Sequence, residues 1–371
     1  MPVPPLPRQG GSVRPVTEQQ RTVADVDEDE LIGAFANLLP HGRRTLVPSG
    51  DDAAVVAAPG SSFVVSTDAL VQDRHFRVGW GSARDVGWRA AMQNMADIAA
   101  MGATPTSLVV ALVLPRTTPV EWVIDLARGL AEACGPRDVG IVGGDVVGGE
   151  QLVVAATVHG ELLGERPVLR RGARPGDVVA HAGALGWAAA GFDLLDSGVG
   201  QSPNAHESLA ATPFLSAFLR PQPPLDAAAA AVAGGVCAMM DVSDGLLRDA
   251  ARLARASGVV LDLDLNGSVL RSAAQELAPA AEVLGLSGTA ATQRQRSWLL
   301  GGGEDHGLLA CFPGDRPVPS PFRPIGTVRR ARPGDRAVPR GRRVLLNGSE
   351  SSHRPGWDHF DLGAPRDPDR S

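Results

Sequence analysis

The sequence predicts an α/β protein made of two halves, each a mixture of helices and strands. Its 371 residues are enough for two domains of ordinary size. Strand-like apolar runs alternate with helix-like patterns, and an Arg/Gly/Pro-rich stretch at 170–177 separates two such mixtures. We therefore predict a disordered tail over residues 1–24, followed by domains over 25–165 and 166–371.

The first half begins with an acidic run at 25–30, which is typical of a helix start because negative charge there opposes the helix dipole. A second helix is predicted over 83–102, where apolar residues recur at helical spacing. The other predicted elements are strands at 53–58 and 62–67, a strand at 107–115, a helix at 117–134, and strands at 139–145 and 151–164.

The second half repeats this mixture after the boundary. Its predicted helices lie at 185–196, 206–219, 225–234 and 244–258, and its predicted strands lie at 177–183, 236–241, 259–265 and 322–328. The rest of residues 312–343 is rich in proline and arginine, a composition typical of surface loops.

Composition excludes several classes of function. All 35 basic residues are arginine, which rules out Schiff-base, Walker A and protein-kinase lysine mechanisms. A net charge of −6 argues against nucleic-acid binding, and the apolar run at 227–240 is too short to span a membrane. The three cysteines are far apart, which argues against a disulfide framework or a zinc site. Because the N-terminal segment lacks an apolar leader, we expect a cytoplasmic protein.

Acidic residues at the ends of apolar runs are the candidate functional groups. They are Asp51, Asp52, Asp68, Asp97, Asp145, Asp241, Asp244, Glu304 and Asp305. A single aspartate beside glycine is more often a turn or a helix cap, so the hypothesis depends on their number and their Gly-rich settings. Carboxylates suit Mg²⁺, and glycine lets a backbone approach a phosphate closely. The residues therefore favour Mg²⁺-assisted phosphoryl transfer.

A set of motifs in order resembles the thiamine-monophosphate kinase family, within the aminoimidazole ribonucleotide synthetase-like superfamily. The matching segments are GDDAAVV (50–56), STDALVQDRHF (66–76), NMADIAAMGATP (94–105), GGD (143–145), GERPVLRRGARPGD (164–177), FLRPQPP (218–224), DVSDGLLRDA (241–250), GGGEDHGLL (301–309) and GWDHF (356–360). They span nearly the whole predicted folded chain, and the STD and WDHF segments favour this family over its relatives.

The resemblance implies a two-domain fold whose N-terminal halves pair in a homodimer, with the ATP site near that interface. It implies ATP-dependent phosphorylation of thiamine monophosphate to thiamine diphosphate, assisted by several Mg²⁺ ions. The implied metal ligands are Asp52, Ser66, Thr67, Asp68, Asp97, Asp145, Asp241 and Asp244. The implied nucleotide contacts are Gly144, Asp145, Arg170 and Ser243, and the implied substrate contacts are His75, Glu304 and Trp357. Among these, Asp145, Asp244 and Arg170 are the implied catalytic residues.

Elementary chemistry agrees with these roles. An arginine such as Arg170 can form two parallel hydrogen bonds to a phosphate, and the face of Trp357 can attract the cationic thiazolium ring. Each residue also has a structural alternative: Trp357 as a packing residue, and His75 as a hydrogen-bonded surface residue.

Two segments depart from the family pattern. The usual GIGDD reads PSGDD at 48–52, and the usual GGEDYE reads GGEDHG at 302–307. These changes concern the shape of the substrate pocket more than the phosphate chemistry. Two alternatives stay open: a sister enzyme such as aminoimidazole ribonucleotide synthetase, and a non-catalytic nucleotide-binding dimer. The retained aspartates argue against the second.

Overall fold

A computed structural model describes residues 21–48, 53–60, 62–199, 213–331, 343–350 and 356. Residues 21–24 were predicted to belong to a disordered tail, but they are hydrogen-bonded to the rest of the protein. The backbone N–H groups of Val23 and Ala24 donate to the carbonyl oxygens of Thr118 and Arg116. Residues 1–20 lie outside the described residues.

The N-terminal half contains a four-stranded sheet and three helices. Its strands are β1 (Thr45–Val47), β2 (Val55–Val56), β3 (Val64–Val71), β4 (Ala103–Leu114), β5 (Gly140–Gly148) and β6 (Val153–Leu162), and its helices are α1 (Glu28–Phe35), α2 (Ala83–Ala100) and α3 (Val120–Cys134). The sheet order is β3–β6–β4–β5, and only β4 and β5 are parallel. Strands β1 and β2 form a separate antiparallel pair, so the strand predicted at 53–58 is much shorter than expected.

Helix α2 lies between the two halves and carries much of the site. It begins with a capping box, in which Ser82 and Asp85 each bind the backbone N–H of the other. Met92 and Met95 pack in the core of the N-terminal half, whereas Ala100 packs against the C-terminal sheet. Most of this helix is buried, which is typical of a helix that lies between two layers.

The C-terminal half contains a seven-stranded sheet. Its strands are β7 (Val178–Ala182), β8 (Ala238–Val242), β9 (Val259–Leu263), β10 (Gly307–Phe312), β11 (Arg323–Arg330), β12 (Val344–Leu346) and β13 (Ser349–Glu350). The order is β13–β12–β9–β11–β7–β10–β8, and only β12 and β9 are parallel.

Helices cover both faces of this sheet. They are α4 (Trp187–Asp196), α5 (Pro213–Leu219), α6 (Ala227–Ala233), α7 (Leu246–Ser257), α8 (Ser268–Glu276), α9 (Ala278–Val283) and α10 (Gly288–Gly301). One face packs against α4, α7, α8 and α10, and the other packs against α6 and the end of α2. The helix predicted at 206–219 is seen only as α5, because residues 200–212 lie outside the described residues.

Helices α8, α9 and α10 and strand β10 are absent from the sequence prediction. The helices are rich in small and polar residues, and packing buries Leu270 on α8 and Trp298 and Leu300 on α10 and stabilises them. Strand β10 is apolar on both faces, so its sequence does not distinguish a buried strand from a buried helix. Within the described ranges, no helix combines the length and apolarity needed to cross a bilayer.

Candidate active site

Four predicted metal ligands meet where α2 packs against the C-terminal sheet. Asp97 on α2 accepts a hydrogen bond of 2.7 Å from the Ser66 hydroxyl on β3. Burial, followed by the nearby charges of Asp241 and Asp68, raises the pKa of Asp97 to about 7. The structure thus brings Ser66, Asp68, Asp97 and Asp241 to one place, where three carboxyl groups lie near one another.

His306 connects this acidic group to a predicted substrate contact. Its Nδ1 lies 3.6 Å from an oxygen of Asp241, and its Nε2 lies 3.5 Å from an oxygen of Glu304. Burial alone would lower the pKa of His306, but the two carboxylates raise it to about 10. The imidazolium is therefore a fixed positive charge between a candidate metal ligand and a candidate substrate ligand.

The loop that carries Glu304 and His306 is held by hydrogen bonds to the segment at the end of strand β8. The backbone N–H of Glu304 donates to the carbonyl of Ser243 (2.8 Å), and that of His306 donates to Val242 (3.1 Å). Both Glu304 and His306 have positive φ, at 73° and 53°. This conformation is uncommon outside glycine, so the loop depends on these contacts to hold it.

Arg89 joins the two described substrate residues. Its guanidinium lies 2.7 Å from the Glu304 carboxylate and donates a 2.8 Å hydrogen bond to the carbonyl oxygen of His75. The ring of His75 accepts a hydrogen bond from the backbone N–H of Val71, which fixes the turn between β3 and α2. Burial would raise the pKa of Glu304, but Arg89 and His306 hold it below its ordinary value, so Glu304 is ionised.

An aromatic-lined cleft lies beside Arg89. It is shallow, with room for little more than a water molecule, and its lining includes the rings of Phe76, Trp80, Trp122 and Phe218. The guanidinium of Arg77 stacks over Trp80 at 4.3 Å. The cleft therefore adjoins the substrate residues and not the carboxylates near Asp97.

Asp244 and Ser243 follow strand β8, next to Asp241. Asp244 is paired with two arginines of α7, Arg252 at 2.6 Å and Arg248 at 3.5 Å. Its backbone N–H donates to Asp249, whose pKa is raised to about 7 by burial and by Asp241, despite the pairing with Arg252. The negative charge of Asp244, the candidate metal ligand, is thus already balanced by two arginines.

Asp145, Gly144 and Thr67 lie away from this group. Register places Asp145 and Thr67 on the sheet surface that α2 and α3 do not cover. Asp145 is on β5 and Thr67 is on β3, the two edge strands of the four-stranded sheet. Three strand spacings, about 14 Å, separate these two strands. We call this surface the open sheet face; its residues are Val65, Thr67, Ala69, Val109, Ala111, Asp145 and Val147. One chain alone does not unite all the predicted metal ligands.

Three further predicted residues need separate mention. The side chain of Arg170 is exposed, and its carbonyl accepts a hydrogen bond from Ser257 at the C-terminal end of α7, the end opposite Asp244. Asp52 and Trp357 lie outside the described residues. Gly356 lies against the backbone of Asp244, since a Cβ added there would be 2.2 Å from the Asp244 carbonyl oxygen.

The donors near Asp97 fit a hard cation, although their arrangement is not a complete site. In the part of the chain that the structure describes, no three histidine, cysteine, aspartate or glutamate side chains converge closely enough to hold a metal ion. Burial, and after it repulsion from Asp241 and Asp68, raises the pKa of Asp97, and a divalent cation would relieve both by balancing the charge. The hydroxyl of Ser66 and these carboxylates are oxygen donors of the kind that Mg²⁺ prefers.

Sequence reasoning missed two groups of residues. Arg89 and Arg252 lie outside the matching motifs, and Asp249 lies within DVSDGLLRDA, but the resemblance implies no role for it; only their burial and partners reveal them. His306 is visible in the sequence as a departure from the family pattern, but its position between two carboxylates is not.

Two matched segments and the curated relatives decide the family. Residues 50–162 match the N-terminal domain of AIR synthase related proteins, and residues 174–292 match the C-terminal domain. A thiamine-monophosphate kinase from Mycobacterium tuberculosis is 42% identical, over 89% of this chain and 92% of its own length. The chain belongs to the thiamine-monophosphate kinase family.

Further comparisons agree with this family. A thiamine-monophosphate kinase from Corynebacterium glutamicum is 39% identical, over 91% of this chain and 95% of its own length. A solved structure described as AaThiL complexed with AMPPCP and TMP has a TM-score of 0.66 and 28% identity, covering 84% of this chain and 91% of that one. The predicted family and the two-domain AIR synthase-like fold are therefore confirmed.

Proposed function

We propose that this chain transfers the γ-phosphoryl group of ATP to thiamine monophosphate and releases ADP and thiamine diphosphate. Its relatives carry this enzyme's name, and one similar structure is described with AMPPCP and TMP. The observation in this chain that carries the proposal is the continuity of charged groups from Asp97 and Asp241 through His306 to Glu304. It places the acidic donors beside residues suited to a cationic substrate.

The chemistry explains why so many carboxylates are needed. An oxygen of the acceptor phosphate attacks the γ-phosphorus of ATP, and the bond to the β–γ bridging oxygen breaks. Both reactants are anions, and Mg²⁺ when bound neutralises them and the developing charge. Ser66, Asp68, Asp97 and Asp241 would hold one such group of ions. The remaining proposed ligands are Asp52, Thr67, Asp145 and Asp244.

The nucleotide contacts belong to the same proposal. We assign Gly144, Asp145, Arg170 and Ser243 to ATP, and His75, Glu304 and Trp357 to thiamine monophosphate. Ser243 is supported by its place next to the Glu304 loop, since its carbonyl accepts from the Glu304 backbone. Arg170 is supported by its exposed guanidinium, which is free of burial cost and suits phosphate. A cytoplasmic location and domains over 25–165 and 166–371 belong to the same proposal.

We also propose a homodimer formed through the open sheet face. Val65 is 55% exposed and Val147 is 46% exposed on that face, where Thr67, Ala69, Val109 and Ala111 are also small or β-branched. Apolar sheet faces are normally covered by another layer. Because Thr67 and Asp145 lie on the same face, covering it would place these proposed ligands at the dimer interface.

Phosphorus NMR of the purified protein with ATP, Mg²⁺ and thiamine monophosphate tests the proposal. We expect ADP and thiamine diphosphate to appear, and to be absent without Mg²⁺. Asp244→Asn should keep the fold and lower kcat by roughly 10²–10³, the size of effect seen when a charge-stabilising group is lost. ATP consumption only with formylglycinamidine ribonucleotide would identify the sister enzyme, and no consumption with either acceptor would favour a binding protein. Undiminished turnover by Asp244→Asn would remove this residue from the metal site.

A further inference from the structure

Arg89 is a buried charge with partners from both halves of the protein. It is 3% exposed and lies on α2, which belongs to the N-terminal half. Its partners from the C-terminal half are the Glu304 carboxylate and the ring of Phe218, 4.5 Å from the guanidinium carbon. Its partner in the N-terminal half is the His75 carbonyl. A buried guanidinium is costly without such partners, so this position demands an explanation.

The two terminal nitrogens of Arg89 serve different elements. One donates to the turn that carries His75, and the other lies against the loop that carries Glu304. The planar fork of arginine can hold both at once, whereas the single ammonium of lysine is a point charge. Arg89 therefore sets the separation of His75 and Glu304, which come from different halves.

Glu304 depends on this contact for its direction. Its side chain is 31% exposed and its carboxylate lies between Arg89 and His306. Without Arg89, the remaining positive neighbour would be His306, and the carboxylate would shift towards it or turn into solvent. The Nε of Arg89 is buried without a hydrogen-bond partner, so maximal stability does not account for this residue.

We propose that Arg89 is a positioning residue that sets the thiamine monophosphate side of the site by holding Glu304 and His75 together. This inference rests on the proposed function, in which those two residues contact the substrate. Arg89 itself acts through them and does not touch the reacting phosphates. The predicted signature is a defect in substrate binding with ATP binding unchanged.

The test compares Arg89→Met and Arg89→Lys with Arg220→Met. Arg220 is a matched control, because it also stacks on an aromatic ring (Trp88, 4.5 Å) and pairs with a carboxylate (Glu132, 2.7 Å) near α2. We expect Arg89→Met to raise KM for thiamine monophosphate at least tenfold, with KM for ATP changed less than twofold. Arg89→Lys should fold, and its KM for thiamine monophosphate should lie between those of the wild type and Arg89→Met. Arg220→Met should leave both KM values unchanged.

A double variant shows whether Arg89 acts through Glu304. In a Glu304→Gln background, Arg89→Met should raise KM for thiamine monophosphate by a smaller factor than in the wild type, because only its effect through His75 remains. The proposal would be overturned if Arg89→Met raised KM for thiamine monophosphate by the same factor in both backgrounds. It would also be overturned if Arg89→Lys and Arg89→Met kept the wild-type KM values and only lowered the melting temperature. If Arg89→Met does not fold, Arg89→Lys is measured instead in both the wild-type and the Glu304→Gln backgrounds.

Crystal structures of the wild type and Arg89→Lys separate this proposal from the proposed function. Displacement of the Glu304 carboxylate and the His75 turn is expected whether or not the protein uses thiamine monophosphate. If the wild type has no kinase activity but the displacement occurs, the proposed function fails and the positioning of these residues stands. If both residues keep their places in Arg89→Lys, the positioning role is wrong even when the kinase activity is confirmed.

Discussion

Asp97 is a buried carboxyl group whose neighbours include Asp68 and Asp241. Its pKa of about 7, against an ordinary value of 3.8, means that the folded protein binds its proton more tightly than the unfolded chain does. The stabilising contribution is therefore complete below about pH 4 and is lost as the pH rises through 7. At neutral pH this residue costs stability, which is typical of functional carboxylates.

Asp97→Asn should stabilise the metal-free protein roughly twice as much at pH 8 as at pH 5, because at pH 5 only part of the proton-linked stability has been lost. The gain at pH 8 is on the order of 1–4 kcal/mol, because one pKa unit corresponds to about 1.4 kcal/mol. Urea unfolding with a chelator at both pH values measures it. Asp125→Asn on α3 is the control, since that exposed partner of Arg128 should change stability by only a few tenths of a kcal/mol.

The same residue links stability to Mg²⁺. Protons and cations compete for Asp97, so Mg²⁺ should raise the melting temperature of the wild type more at pH 8 than at pH 5. An equal gain from Asp97→Asn at both pH values would show that the pKa of Asp97 is not raised in solution.

At the scale of elements, α2 is held in place by a close approach to α3. A Cβ on Gly87 would lie 2.1 Å from the carbonyl oxygen of Leu126, and one on Gly129 would lie 1.9 Å from that of Arg84. The two helices therefore touch backbone to backbone at both glycines. Since α2 also carries Arg89 and Asp97, this packing fixes the site.

Gly129→Ala should destabilise the protein by about 1–3 kcal/mol, because the added methyl group meets backbone atoms that cannot turn aside. Gly33→Ala on α1 is the control: a Cβ there meets nothing within 4 Å, so higher helix propensity should stabilise by about 0.5–1 kcal/mol. Chemical denaturation of both variants gives the comparison. Equal effects at the two positions would mean that the helices are not in close contact.

At the scale of the whole molecule, the predicted metal ligands occupy both faces of the N-terminal sheet. Ser66 and Asp68 face the helix side, whereas Thr67 and Asp145 lie on the open sheet face. A single chain therefore presents an incomplete set of ligands on each side. A second copy covering the open sheet face would bury its valines and enclose the ligands found there.

Val65→Glu combined with Val147→Glu should convert the proposed dimer into a monomer and lower turnover at least tenfold. The charges would be buried without partners in the interface but are harmless on a free surface. Sedimentation velocity gives the oligomeric state. Val283→Glu is the control, because Val283 is 57% exposed on the C-terminal half and outside that face. Wild-type mass and turnover in the double variant would exclude this face as the interface.

Much of the framework follows from local sequence. The apolar patterns of α2, α3 and β4 are strong and predict these elements, and the aspartates stand in motifs of distinctive order. Local patterns fail over residues 268–301, where small and polar residues become helical by packing against the rest of the C-terminal half, and over β10, whose wholly apolar sequence fits a buried strand and a buried helix equally.

The sequence by itself determined the family, the reaction class and the acidic residues, because each depends on residue types in a recognisable order. Only the tertiary structure decided which of them meet. It brought Asp97 to Asp241, put His306 between two carboxylates, and used Arg89 to join Glu304 to His75. It also left Asp145 on the far side of the sheet. These contacts depend on how two halves pack around α2, and long-range packing leaves no mark in the spacing of a single sequence.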